Sequence, residues 1–310
     1  MSSKLYLTVL AWWMVWLIAT APWPVKPDIE YDKKYPLPEE IIVESTTLQF
    51  ETRVIEILGI DGEATWSKKE VKVVKIKDIP FKDDFKIKTD RYQLIRDTDW
   101  FPSRLVWHTV SCISKLLFWD EQIWWWLDEK RTKAVLSMLE QNKDIQNLTV
   151  RVNHNEWFYD WYRMMFHKDL REENPFLYRL IKWSWDTAID EIWAEFWRGD
   201  YYNALTRTVV LYSNIESIAA HELGHHVDFD KFPKEMKMND PLARWIYDGS
   251  RYFPPVMLYQ EWQASKNAKA LMSKEDEYQF RRYLIPAFYT YLLSVIFIIF
   301  SYFSQKRSSE

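Results

Sequence analysis

The chain contains a single cysteine, Cys112, among 310 residues. No intrachain disulfide can form, and the redox character of the compartment is left open. It also has no lysine- or arginine-rich block. The 41 basic residues face 45 acidic ones, giving a formal net charge of −4. The electrostatic footprint of a nucleic-acid partner is therefore missing. Internal repeats and low-complexity tracts are also lacking, which excludes a solenoid. What the chain has in quantity is apolar and aromatic surface: 48% of residues are hydrophobic, with 19 Trp and 18 Tyr. Such amphipathic rings suit a packed core or the headgroup region of a bilayer. With 28% charged residues, the composition is that of a folded protein with one large domain or two smaller ones.

Both ends are apolar. Residues 5–21 read LYLTVLAWWMVWLIATA, without charge, and follow Lys4. This pattern predicts a signal peptide or signal anchor over residues 1–22. Pro22 directly follows the small residues Ala19, Thr20 and Ala21 and would hinder cleavage, which favours an anchor. Residues 23–40, rich in proline and charge, read as a linker. Residues 284–303, LIPAFYTYLLSVIFIIFSYF, are about as long as a bilayer span and predict a C-terminal transmembrane helix, with 304–310 as a tail. Lys4, Lys306 and Arg307 would prefer the cytoplasmic side. The expectation is an integral membrane protein, in contact with the lipid bilayer, whose body is extracytoplasmic or lumenal.

Between the ends, residues 41–100 are strand-like. TLQFETRVI (47–55) and VKVVKI (71–76) contain alternating, β-branched stretches, and Asp61-Gly62 predicts a turn between them. The expectation is a small antiparallel β unit. Beyond Phe101 the pattern turns mostly helical. The run 105–126, with Trp124, Trp125 and Trp126, suits core helices or an interfacial helix. A short strand falls within 147–153, helices within 157–197, and another strand within 206–212.

The chemistry concentrates at His221-Glu222-Leu223-Gly224-His225. On a helix, positions i and i+4 face the same way about 6 Å apart. Two imidazoles so placed can share one Zn²⁺. Glu222, one residue from the first ligand, is positioned to take a proton from an attacking water rather than to bind the metal. Asn214 is the expected N-cap of this helix. The strand just before it offers a place for a substrate backbone to add as a further strand.

A third ligand is expected from further along. Glu261 lies on a segment opened by Pro254 and Pro255, which suit a first helical turn. Ala264, Ser265 and Ala268 share its face, and such small residues would allow close approach to the histidine helix. Asp228 is the rival ligand, but it lies about 10.5 Å along the axis from His221 and is short, so a supporting role is expected. His226 points about 100° away from His225. His108, His154 and His167 have no ligand spacing. Tyr259, Arg251 and Tyr252 are the candidates for stabilising an oxyanion.

The HELGH motif with a downstream glutamate helix resembles the gluzincin metallopeptidases. Residues 261–265, EWQAS, look like the ExxA(D/N/S) ligand motif of membrane-bound relatives such as the CAAX prenyl protease group. With residues 286–291, PAFYTY, the chain is similar to uncharacterised bacterial membrane proteins carrying HExGH, ExxAS and PAxxTY. The resemblance implies that His221, His225 and Glu261 bind zinc and that Glu222 is the general base. Ser265 stands where many gluzincins carry an aspartate that supports a zinc histidine. No histidine follows His225 at metzincin spacing, and Arg207, Glu216 and Asp228 argue against an intramembrane protease. The implied fold class is α+β: a mostly helical zincin-like domain over 101–283, a small β-rich N-terminal region and terminal transmembrane helices. The implied function is a membrane-anchored zinc metallopeptidase acting on protein or peptide substrates. Two alternatives stay open: a non-catalytic membrane protein with a structural or decayed zinc site, and a zinc hydrolase of non-peptide amides or esters.

Overall fold

The computed structural model describes residues 37–58, 66–97, 128–154, 199–236, 240–251 and 253–272, and, with gaps, 162–185 and 280–296. Nine strands, β1 (Glu40–Val43), β2 (Ser45–Thr46), β3 (Glu51–Leu58), β4 (Trp66–Lys75), β5 (Phe85–Lys88), β6 (Tyr92–Arg96), β7 (Leu148–Val152), β8 (Tyr201–Asn203) and β9 (Thr208–Leu211), form two sheets. The α-helices among the described residues are α1 (Glu129–Gln141), α2 (Lys168–Glu173), α3 (Phe176–Trp185), α4 (Glu216–Met236), α5 (Asp240–Ser250) and α6 (Pro254–Leu271).

The first sheet is antiparallel, in the order β1-β4-β3. β3 pairs along its whole length with β4, from Glu51↔Val73 to Leu58↔Trp66. Asp61-Gly62 lies outside the described residues. The second sheet has six strands in the order β2-β5-β6-β7-β9-β8 and is mixed. β6, β7 and β9 run parallel, and the flanking pairs β2–β5, β5–β6 and β8–β9 are antiparallel.

This sheet corrects the expected fold class. The described chain is a mixed α/β structure with sheets of three and six strands, not a mostly helical domain. The physical reason lies in how the strands assemble: those expected within 147–153 and 206–212, β7 and β9, join β5 and β6 of the N-terminal region in one sheet. All four residues of β9 (TVVL) are buried, as are four of the five of β7 (LTVRV). Parallel strands covered on both faces form the centre of a sheet, and such long-range pairing is not written in local periodicity. Ile87, Leu94, Val150, Val209 and Leu211 of the sheet are fully enclosed in one core with Leu136 and Leu139 of α1 and Ala220 and Leu223 of α4.

The terminal transmembrane helices are also corrected. Among the described residues, no helix is long and apolar enough to cross a membrane. Residues 5–21 lie outside the described residues, as do Cys112 and the tryptophans at 124–126. At the other end, Phe280–Leu284 is a five-residue π-helix. Leu284, the first residue of the apolar run, is buried in the core, with Phe280 packed against the same core. The first residue of that run is spent on internal packing, while Ile285 next to it is exposed. The integral-membrane localisation, with an extracytoplasmic or lumenal body, is overturned by the same lack of a spanning helix among the described residues.

The start of α4 is tied to α1. Asn214 does not act as the expected side-chain cap. Its amide donates to Asp128 Oδ2 at 2.9 Å, and Asp128 in turn caps α1 by accepting the Arg131 N–H at 2.7 Å. The α4 hydrogen-bond ladder springs from Ile215, whose carbonyl accepts the Ala219 N–H at 3.2 Å. A buried Arg131–Glu216 ion pair joins the same two helices. The helix carrying HELGH is thereby anchored at its N-terminal end.

Candidate metal centre

α4 places His221 and His225 one turn apart, with Glu222 beside the first, soon after β9. α6, opened by Pro254 and Pro255 as their fixed φ favours, lies against it. The approach is unusually close. A Cβ placed on Gly224 would stand 2.3 Å from the carbonyl oxygen of Ala264, so only glycine fits there. The Asn267 side chain donates to the Gly224 carbonyl at 3.0 Å and holds the crossing. Ala264 and Ala268 are fully buried in it.

That crossing carries Glu261 to the two imidazoles. His221 Nε2 is 3.1 Å from Glu261 Oε2, and His225 Nε2 is 3.6 Å from Glu261 Oε1. One donor atom from each of the three residues lies within 4.8 Å of the others. Around a tetrahedral zinc with ligand bonds near 2.0–2.2 Å, donor atoms sit about 3.4 Å apart. The observed separations bracket that value, and two imidazole nitrogens with one carboxylate form a set that zinc accepts. The three side chains keep 12%, 13% and 15% of their surface exposed, so the group opens to solvent on one side. Ser265 Oγ lies 3.3 Å from His221 Nδ1 and orients that ring from behind.

Burial and neighbouring charge set the protonation states. Burial pushes the pKa of His225 down to about 4, against the pull of Glu261. Burial also disfavours the charged form of His221. The hydrogen bond donated to Glu261 and the charges of Glu222 and Glu261 outweigh it and hold that pKa above the ordinary imidazole value. Glu261 is held below its usual value because the two imidazoles and Arg251 outweigh its burial. Glu222 is buried, and its pKa is pushed up to about 8, first by desolvation and then by the nearby Glu261 and Asp200 carboxylates.

The remaining candidates fall elsewhere. Asp228 accepts the Tyr247 hydroxyl at 2.5 Å and stands outside the ligand group. His226 is fully buried, with Nε2 2.9 Å from the Gln146 carbonyl and Nδ1 3.3 Å from the Tyr202 hydroxyl. His154 is buried near Asp97. Tyr259 is half exposed. Arg251 lies in the α5–α6 turn, with Nη1 3.7 Å from Asp248, and its charge reaches both His225 and Glu261. His108, His167 and Tyr252 lie outside the described residues. β9 cannot take a substrate strand, because β7 and β8 occupy its two sides.

Two neighbours of the site escaped sequence reasoning. Asp200 accepts the N–H groups of Tyr212 and Ser213 at 2.5 and 3.0 Å, which pins the entry of β8 to the turn before α4. Tyr202, on β8, sets its ring parallel to that of His225. No motif marks either residue, since both reach the site only through strand pairing. Comparisons of the chain with family models, with curated proteins and with solved structures find no match.

Proposed function

We propose that the chain is a zinc-dependent hydrolase of the gluzincin type that cleaves peptide bonds, with His221, His225 and Glu261 as the metal-holding residues and Glu222 as the general base. The observation that carries this reading is the convergence of the three donors beside a buried carboxylate that is not among them. A bound zinc ion would supply Lewis acidity, polarising a carbonyl and acidifying a water molecule.

The chain's own residues account for the rest. Glu261 gives the group its negative charge and draws the two Nε2 atoms towards one point. Ser265 holds the His221 ring by its other nitrogen. Glu222 accepts the proton of the attacking water and returns it to the leaving amine. Its raised pKa suits a group that must both take and give a proton near neutrality. Only three protein donors gather among the described residues, on a partly exposed surface. A coordination position left open to substrate is a property of catalytic sites, whereas structural sites are closed by four protein ligands.

The test is a Glu222→Gln variant of the whole chain, with zinc content and peptide cleavage measured side by side. The expected result is retained zinc with cleavage lower by about 10²–10⁴-fold. Cleavage at the wild-type rate rejects the assigned base. Purified wild-type protein that takes up no zinc rejects the reading as a whole.

A further inference from the structure

Tyr202 and His226 have no place in the chemistry above, yet both are buried beside His225. His226 is 0% exposed and follows a proposed ligand directly, with its ring turned to the other side of α4. Its two nitrogens have distinct partners. Nε2 lies 2.9 Å from the Gln146 carbonyl, which can only accept, so Nε2 carries the proton. Nδ1 is then an acceptor and takes the Tyr202 hydroxyl, 3.3 Å away. The result is a directed chain running from Tyr202 O–H to His226 and on to the carbonyl just before β7.

That chain fixes the phenol. Pairing of β8 with β9, at Tyr202↔Val209, fixes its backbone, and Phe229 meets its ring edge-on at 5.5 Å. The immobilised ring lies 4° from parallel to the His225 imidazole, with centroids 6.5 Å apart. The His221 ring meets the His225 imidazole at 81° and 4.7 Å. His225 is thus bounded by aromatic rings on two sides. Unlike His221, which Ser265 holds through Nδ1, it has this ring wall as its restraint. Ligand imidazoles are ordinarily oriented by partners beyond the metal.

We infer that Tyr202, anchored through His226, is a positioning residue that sets the ring plane of His225 for metal binding. The inference rests on the zinc reading above. Its test uses the full chain with Zn²⁺ and Co²⁺ as probes, in wild type, Tyr202→Phe and Tyr202→Leu. Tyr202→Phe keeps the ring and removes the anchor; Tyr202→Leu removes both. The expected order of Zn²⁺ affinity is wild type, then Phe, then Leu, with a total loss of about 10–100-fold. The visible absorption of the Co²⁺ form should broaden or shift in the same order, because it reports ligand geometry. Melting of the metal-free proteins separates a positioning role from a structural one. A role confined to folding would lower those melting temperatures and leave affinity and Co²⁺ spectrum unchanged, which overturns the inference. Should Tyr202→Leu fail to fold, Tyr202→Phe decides alone: affinity within twofold of wild type and an unaltered spectrum overturn the inference. Wild-type protein that binds neither ion removes the zinc reading itself, and the positioning role with it.

Discussion

Replacing Gly224 by alanine tests the helix crossing that assembles the site. The added Cβ would sit 2.3 Å from the Ala264 carbonyl oxygen and 3.1 Å from both Ala264 C and Ala268 N. All three are backbone atoms, so no side chain can swing away. Reaching an ordinary contact of about 3.4 Å requires α4 and α6 to separate by roughly 1 Å. Overpacking of this kind costs about 1–3 kcal/mol. Alanine recovers about 1 kcal/mol through its better helix propensity, leaving a net loss of about 0–2 kcal/mol and a fall in Tm of about 0–6 °C. Gly249 provides the control. It lies in α5 with nothing within 4 Å of its would-be Cβ, so Gly249→Ala should stabilise by about 0.4–1 kcal/mol.

The same displacement reaches the ligands. Glu261 is one turn of α6 from Ala264, and the 3.1 and 3.6 Å separations between its oxygens and the imidazoles already bracket what zinc needs. Adding about 1 Å should weaken zinc binding by tenfold or more, in the range seen when ligand orientation is disturbed. Calorimetric melting of the metal-free variants, together with zinc competition against a chelator, measures both effects. If Gly224→Ala melts higher than wild type, as Gly249→Ala should, and binds zinc equally well, the close crossing does not build the site.

Other consequences follow from the same contacts. Ser265→Ala removes the partner of His221 Nδ1 and should weaken zinc binding by about tenfold while leaving Tm within a degree or two, as chelator competition and melting would show. On the zinc reading, zinc and a proton compete for His221, whose pKa is raised, while His225 near pH 4 stays neutral; in the Glu222→Gln background, which keeps the Glu261 hydrogen bond that raises the His221 pKa, affinity should fall on acidification through that pKa with a slope of about one proton, and a slope of two would refute the assignment. Asp200→Ala strips two backbone N–H groups of their acceptor and should cost about 1–3 kcal/mol, whereas Asp200→Asn keeps an acceptor and should cost less. Because burial raises the Asp200 pKa in the folded protein, its ionisation removes stability as pH rises from the ordinary value of 3.8 through the folded one, and denaturant midpoints of Asp200→Asn should lack that decline.

The parts of the site that could be read from sequence are those that depend on local periodicity. HELGH fixes its two imidazoles by helix geometry alone. Pro254 and Pro255 announce the start of α6, and the small residues Ala264, Ser265 and Ala268 announce a close partner without naming it. The sequence does not say that Gly224 lies opposite Ala264, a fact of three dimensions that makes the alanine face useful. The β-strands before residue 97 were legible because their exposed faces alternate, as in the FKIK of β5 with its buried–exposed pattern. The short strands expected within 147–153 and 206–212 are β7 and β9, but local pattern does not show that they pair with β6 and β8 in one sheet, which joins segments far apart in the chain.

The apolar C-terminal run shows a different limit. Hydropathy measures how much apolar surface a segment offers, not what covers it. Leu284, the first residue of that run, is only 4% exposed, enclosed by the protein's own core with Phe280 beside it, whereas Ile285, Tyr289, Leu293 and Ile296 keep 39%, 50%, 51% and 38% of their surface exposed. The supports of the proposed metal site are illegible for a related reason. Asp200 and Tyr202 reach α4 through the pairing of β8 with β9, and β9 in turn is placed by β7, more than fifty positions earlier in the chain. The donors come from two neighbouring helices, but their orientation is set by the parallel sheet behind them. A change buried in β7 or β9, such as Val210→Ala, should therefore weaken zinc binding as well as stability, although it touches no ligand. Cavity formation at this fully enclosed position should cost about 1–3 kcal/mol. If zinc affinity measured on the folded fraction stays at the wild-type value, α4 holds its ligands without the sheet, and the sheet's part in the site is disproved.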